Sequence, residues 1–242
     1  MKKIANYQLS EKLYESSVSK VYHGVHEDNG RAVILKILNK EYPSTEELSL
    51  FRREYKIVQK LQDIEGVINA IELLDFQNTL VIVEEDIGGT SLATLLTKMK
   101  PDTQQCLKLA IQIADVIDQL HQHNVIHKDI NPANIIWNPE THEVKIIDFG
   151  ISSLLKQEYH EFQSPGQLEG TLAYISPEQT GRINRILDYR SDLYSFGVTL
   201  YLMFTGSLPF TGKDDIELVH AHIAQIPDNP SNIKTSLPPV LS

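Results

Sequence analysis

Three side chains in a fixed order carry the first chemical signal. Asp129 stands in His127-Lys128-Asp129-Ile130-Asn131-Pro132-Ala133-Asn134, and Asp148-Phe149-Gly150 opens fourteen residues after Asn134. A carboxylate so placed can orient an attacking hydroxyl and accept its proton. A second carboxylate and an amide oxygen are hard ligands, suited to holding a divalent cation against phosphates. Asp and Asn also serve ordinary turns, and a lone Asp-Phe-Gly would fit that use. Both segments, in this order and at this spacing, point instead to phosphoryl transfer from Mg-ATP.

Such residues need a scaffold, and the hydrophobic pattern describes one in two parts. Up to about residue 85 the chain reads as β-rich with one helix. Strands are expected at Tyr7–Tyr14, Lys20–Val25, Arg31–Leu38, Ile71–Asp75 and Thr79–Glu84, with Asp28-Asn29-Gly30 as a hairpin turn. Between them, Leu48, Phe51, Tyr55, Val58 and Leu61 recur at helical spacing over Ser44–Gln62, with Ser44 or Thr45 as cap. Gly88-Gly89 marks a break. Helices follow at Thr90–Met99 and at Asp102–His121, the second with Leu107, Ala110, Ile111, Ala114, Ile117 and Leu120 on one face. Short strands are expected at Ile135–Asn138 and Val144–Ile147, an irregular stretch over Gly150–Gly170, and helices at Ser191–Thr205 and Asp214–Ala224.

Composition narrows the function classes. With 22 Lys and Arg against 32 Asp and Glu, the 242 residues carry a net charge of −10, which argues against a nucleic-acid or anionic-membrane surface. The single cysteine, Cys106, excludes a disulfide framework or a thiolate zinc site within one chain and fits a cytoplasmic location. The N-terminal segment lacks the apolar core of a signal peptide, and no apolar run is long enough to cross a membrane.

The two segments resemble the catalytic loop and metal-binding motif of eukaryotic-type (Hanks-type) Ser/Thr protein kinases. Val33-Ile34-Leu35-Lys36, Glu54, Ser176-Pro177-Glu178, Gly170-Thr171 and Asp192 match further positions of that pattern. The resemblance implies an α+β, bilobal kinase-like fold: an N-lobe of antiparallel sheet with one helix (about 1–85), a hinge at 84–89, and a mainly helical C-lobe (90–242). It implies ATP and Mg²⁺ as cofactors and a protein Ser or Thr as acceptor. Asp129 would be the base, Asn134 and Asp148 the metal ligands, and Lys36 the partner of the α- and β-phosphates, held by Glu54. Thr171 would contact Asp129, and Asp192 would brace the catalytic loop. Leu13, Ser16, Ser17, Val18, Ser19 and Val21 would cover the nucleotide. Val83 would guard the inner pocket, with Glu84, Glu85 and Asp86 giving backbone hydrogen bonds to adenine. The wording Gly170–Arg182 and Asp188–Asp192 is similar to the N-terminal kinase domain of large microbial hybrid kinases with ATPase, sensor and histidine kinase modules downstream.

Four departures bear on function. The covering loop places Tyr14, Ser16 and Ser19 where the family has glycines, which predicts weaker or slower nucleotide use. Asn131 replaces a lysine that offsets phosphate charge. Lys128 replaces an arginine that grips a phosphorylated activation segment, which bears on control through Ser152, Ser153, Ser164 or Thr171. The sequence stops where the family has further helices, so truncation is expected, with Glu178 missing its arginine partner. A nucleotide-binding pseudokinase is therefore the competing function. A small-molecule kinase is opposed by Gly170-Thr171 and Ser176-Pro177-Glu178. His121, His123 and His127 could suggest zinc, but His127 belongs to the catalytic-loop motif. His220 and His222 are expected on the surface, and Cys106 and Trp137 in structural roles.

Overall fold

The computed structural model describes residues 3–154, 171–183 and 185–241. The chain divides into two compact units, one holding the residues through Gly89 together with Asn138–Gly150, the other Thr90–Trp137 and Ile151 onward.

In the first unit the alternating strands close a six-stranded sheet. They are β1 (Lys3–Ile4), β2 (Tyr7–Glu15), β3 (Ser19–His26), β4 (Ala32–Leu38), β5 (Ala70–Phe76) and β6 (Thr79–Glu85), in the order β1-β2-β3-β4-β6-β5. All pairings are antiparallel. Successive side chains of a strand point to opposite faces. One face buries Val33, Leu35, Ile37, Val81 and Val83 with Ile4, Tyr7 and Leu9 in an apolar core. The other face is left for Lys36. A single helix, α1 (Thr45–Lys60), begins at a capping box in which Ser44 and Glu47 satisfy each other's backbone amides, and it buries Phe51, Glu54, Ile57 and Val58. The segment Asn138–Gly150 groups with this unit rather than with the helical part of the chain. Its Ile146 amide donates to Gly66 O (2.8 Å) and its carbonyl accepts from Ile68 N (3.1 Å).

The second unit is mainly helical. Its helices are α2 (Leu92–Lys98), α3 (Thr103–Gln122), α4 (Arg190–Thr205), α5 (Asp215–Ala224) and the single turn α6 (Pro230–Ile233). Ser91, Asp102 and Asp214 cap α2, α3 and α5. Residues 90–91, expected to be helical, form a short strand against Ile136 and Trp137. In α3 the buried face is Cys106, Leu109, Ile113, Val116, Ile117 and Leu120. Leu107 and Ile111, expected on that face, are exposed. Two interleaved apolar series share this helix, and burial follows the one running through Cys106, whose thiol donates to Met203 O of α4 (3.3 Å).

Candidate active site

Strand β4 places Lys36 beside two carboxylates of its own unit. Its ammonium meets Glu54 Oε1 at 2.5 Å and Asp148 Oδ1 at 2.8 Å. Helical periodicity turns Glu54 inward from α1, where it is buried. Burial alone would pull the Lys36 ammonium down, but Glu54, Asp148 and Glu84 together outweigh it, so the net shift is upward. Lys36 is therefore a fixed cation. Burial pushes the Glu54 carboxyl up, against the pull of Lys36. Asp148 sits at φ 65 and accepts from Gly150 N at 3.3 Å. A Cβ at Gly150 would stand 3.2 Å from Asp148 Oδ1 and 3.5 Å from Glu54 Oε2, so glycine leaves both carboxylates their room.

The covering loop is closed by its own serine. Ser16 Oγ accepts from Val18 N (3.2 Å) and Ser19 N (3.0 Å), while Ser16 N donates to Ser19 O (2.8 Å). Asn39 ties the loop from β4's end, its amide to Val18 O (2.7 Å) and its side chain to Ser16 O (2.6 Å). Amides that glycines would leave for a phosphate are thus spent on a hydroxyl. Leu13, Tyr14, Ser17 and Val18 are exposed. Val21 pairs with Lys36 in register and so shares its face.

The register redirects one expectation. Val83 lies opposite Leu35, in the apolar core on the far face of the sheet, and not beside Lys36. Glu84, opposite Ile34, takes the position on Lys36's face. The amide of Glu85 is already bonded to Asn69 O (3.0 Å), and Ile87 O to Asn138 Nδ2 (2.6 Å). The Asp86 carboxylate accepts from Gly88 N (2.8 Å) and meets His23 Nδ1 (2.9 Å).

In the second unit a separate group of polar side chains gathers around Asp129. Its Oδ2 accepts from Asn134 Nδ2 (2.9 Å) and its Oδ1 from Thr171 N (2.9 Å). The Asn134 amide nitrogen also reaches Asp129 O (2.9 Å), so both of these bonds use the nitrogen and neither uses the amide oxygen. Asn131 donates to Asp129 O (3.1 Å) and Thr171 Oγ1 (3.2 Å), so it links the catalytic loop to the segment after it. That link was not legible in the sequence, where Asn131 registers only as a lost charge. Gly170 and Ser164 lie outside the described residues.

Beneath this group, fully buried Asp192 accepts from His127 N (2.9 Å) and Lys128 N (2.7 Å), as a brace should. His121 Nε2 meets the same carboxylate at 2.9 Å, so this member of the histidine trio is occupied by Asp192. Gln179 Nε2 donates to Lys128 O (2.7 Å), a support no sequence signal marked. Lys128 itself sits at φ 70, a left-handed position that such bracing holds. Glu178 accepts from Ser191 Oγ at 2.5 Å. His222, expected on the surface, is buried: Tyr194 Oη lies 2.9 Å from its Nδ1, and burial pulls its pKa down. His220, two residues earlier, is exposed.

Asp148 in the first unit and Asn134 in the second each carry an oxygen of the kind Mg²⁺ prefers, and among the described residues there is no group of three His, Cys, Asp or Glu that could hold a metal.

Comparison with known proteins agrees with this chemistry. The family model described as the protein kinase domain matches residues 7–240. A probable serine/threonine-protein kinase of Clostridium perfringens is 30% identical over 96% of this chain and 33% of its own length. The probable kinase PknB of Bifidobacterium longum is 30% identical over 96% of this chain and 35% of its own. PksC, a serine/threonine-protein kinase of Streptomyces coelicolor, is 31% identical over 97% and 43%. The chain thus spans less than half the length of these relatives.

Proposed function

The chain belongs to the protein kinase domain family, and from that premise we propose that it transfers the γ-phosphate of Mg-ATP to a Ser or Thr hydroxyl of a protein, within a signalling pathway. The observation that carries this reading is the Asp129 carboxylate, fixed by Asn134 and Thr171 with its loop braced by Asp192. A base held in this way orients the acceptor hydroxyl and takes its proton as the oxygen attacks the γ-phosphorus. The bond from that phosphorus to the bridging oxygen breaks, and ADP leaves. Lys36, kept charged by Glu54, binds the α- and β-phosphates. Asp148 and Asn134 would hold Mg²⁺, which when bound neutralises the charge developing on the phosphates. Asn131 supplies a hydrogen bond but no charge. The names of the relatives support Ser/Thr as acceptor. Fusion to downstream signalling modules and a cytoplasmic location complete the proposal; among the described residues no helix is long and apolar enough to cross a membrane.

A nucleotide-binding domain without transfer is the second reading, and the self-bonded loop Ser16–Ser19 favours it. Incubation with Mg-ATP and a basic protein, beside Asp129→Ala, separates the two. Phosphosites found by mass spectrometry should depend on Asp129, with turnover lowered about 10²- to 10⁴-fold in the variant. Equal phosphorylation by both proteins, or none by either while ATP binds, would overturn the transfer reading.

A further inference from the structure

Side chains of β6 alternate between two environments. Val81 and Val83 enter the apolar core. Ile82 and Glu84 face the other way, opposite Lys36 and Ile34 of β4. Glu84 is only 7% exposed. Among the described residues its carboxyl has no hydrogen bond and no ion pair, since Lys36 is taken by Glu54 and Asp148. A largely buried carboxyl that has no hydrogen bond and feels Lys36 only through space is costly, and a strand in an apolar sheet would accept valine or leucine there. The exception calls for a ligand.

Which part of a ligand meets it follows from the register. Ser19 of the covering loop pairs with Leu38, Val21 with Lys36, and Ile34 with Glu84. If the nucleotide reading holds, phosphates lie at Lys36 toward the loop end of β4. Its base then lies toward Ile34 and Glu84, roughly 7 Å further along the strand at about 3.3 Å per residue. We infer that Glu84 reads the base, its carboxyl pairing as donor and acceptor with N7 and the N6 amino group of adenine. A neutral carboxyl offers one O–H and one C=O, the same pair that a glutamine amide presents to this edge of adenine. Guanine has acceptors at both O6 and N7, so one carboxyl oxygen would face a lone pair and GTP is disfavoured. The neutral form is supported by the surroundings. Burial first, opposed by Lys36 and reinforced by Glu54, Asp148 and Glu85, pushes the Glu84 carboxyl up to about 8.

This inference rests on the nucleotide-binding reading, and 7-deaza-ATP separates the two. That analogue keeps the N6 amine and lacks the N7 acceptor. Equilibrium titration at pH 7 should show it binding the unaltered chain about tenfold more weakly than ATP, one good hydrogen-bond pairing being worth that much. Glu84→Gln should keep the difference and the preference for ATP over GTP, whereas Glu84→Leu should lose both. Thermal unfolding checks that the variants fold, and the comparison on the unaltered chain needs neither. Equal affinity for ATP and 7-deaza-ATP would overturn base reading while leaving ATP binding intact. No binding of ATP at all would overturn the nucleotide reading itself, and base reading with it.

Discussion

At the scale of single residues, position relative to the sheet decides more than residue type. Glu54 and Glu84 are both buried glutamates, yet only Glu54 has a cation in contact. Consequences for stability follow from the sign of the Glu84 shift. Its carboxyl holds a proton more tightly in the folded chain, at about 8, than at the ordinary 4.5. That preference is fully present below pH 4.5, declines as pH rises, and is gone above about 8, where an unpaired charge is buried. Glu84→Gln never ionises and lacks this loss. Denaturant unfolding at pH 5, 7 and 9 should therefore show the variant gaining on the unaltered chain as pH rises. A stability difference independent of pH would show that the carboxyl does not titrate in this range. The Ser16 hydroxyl makes the complementary point: a residue that reads as a poor glycine substitute organises the loop it occupies.

At the scale of elements, α4 acts on the catalytic loop through its first turn. Asp192 is fully buried and satisfies the amides of His127 and Lys128, with His121 of α3 on the same carboxylate. Asp192→Asn keeps the size but turns one acceptor into a donor facing a backbone N–H. It should cost about 1.5–3 kcal/mol in denaturant unfolding, as loss of a hydrogen bond to a charged group does. Phosphate transfer should fall while ATP binding at Lys36 persists; unchanged transfer would mean the loop keeps its shape without the brace. Much of this was legible in advance. The contacts of Lys36 with Glu54, of Asp129 with Thr171 and of Asp192 with the loop before Asp129 could be anticipated because each motif is local and its spacing is tied to a strand or helix. Less legible were features set by packing between distant elements. The face of α3 was misread because two apolar series coexist in Thr103–Gln122, and only its contact with α4 selects one. His222 was misread because burial by Tyr194 and Phe210 leaves no trace in its own segment. Val83 lies on the face opposite Lys36 because sequence fixes the alternation of a strand but not which residue begins it.

At the scale of the whole molecule, the proposed binding and transfer draw on different halves of the residue set. The proposed contacts for phosphates and base come from Lys36, Glu54, Asp148 and Glu84, and the proposed base and its supports from Asp129, Asn134, Thr171 and Asp192. A ligand that binds only the folded chain stabilises it by RT ln(1 + [L]/Kd), about 2.7 kcal/mol at a hundredfold excess over Kd. Thermal unfolding with Mg-ATP should therefore show a raised midpoint in the unaltered chain and none in Lys36→Met, which lacks the buried cation. Asp129→Asn should keep the raised midpoint yet fail to transfer phosphate, since an amide can accept only one of the two hydrogen bonds from Asn134 and Thr171 and cannot accept the acceptor hydroxyl's proton. Asp148→Asn should lower the part of the shift that depends on added Mg²⁺. A midpoint that rises equally in Lys36→Met would place the nucleotide away from β4, and the assignment of Lys36 would fall. If instead Asp129→Asn and the unaltered chain both bind and neither transfers, the self-bonded loop and Asn131 have left a domain that holds nucleotide without using it.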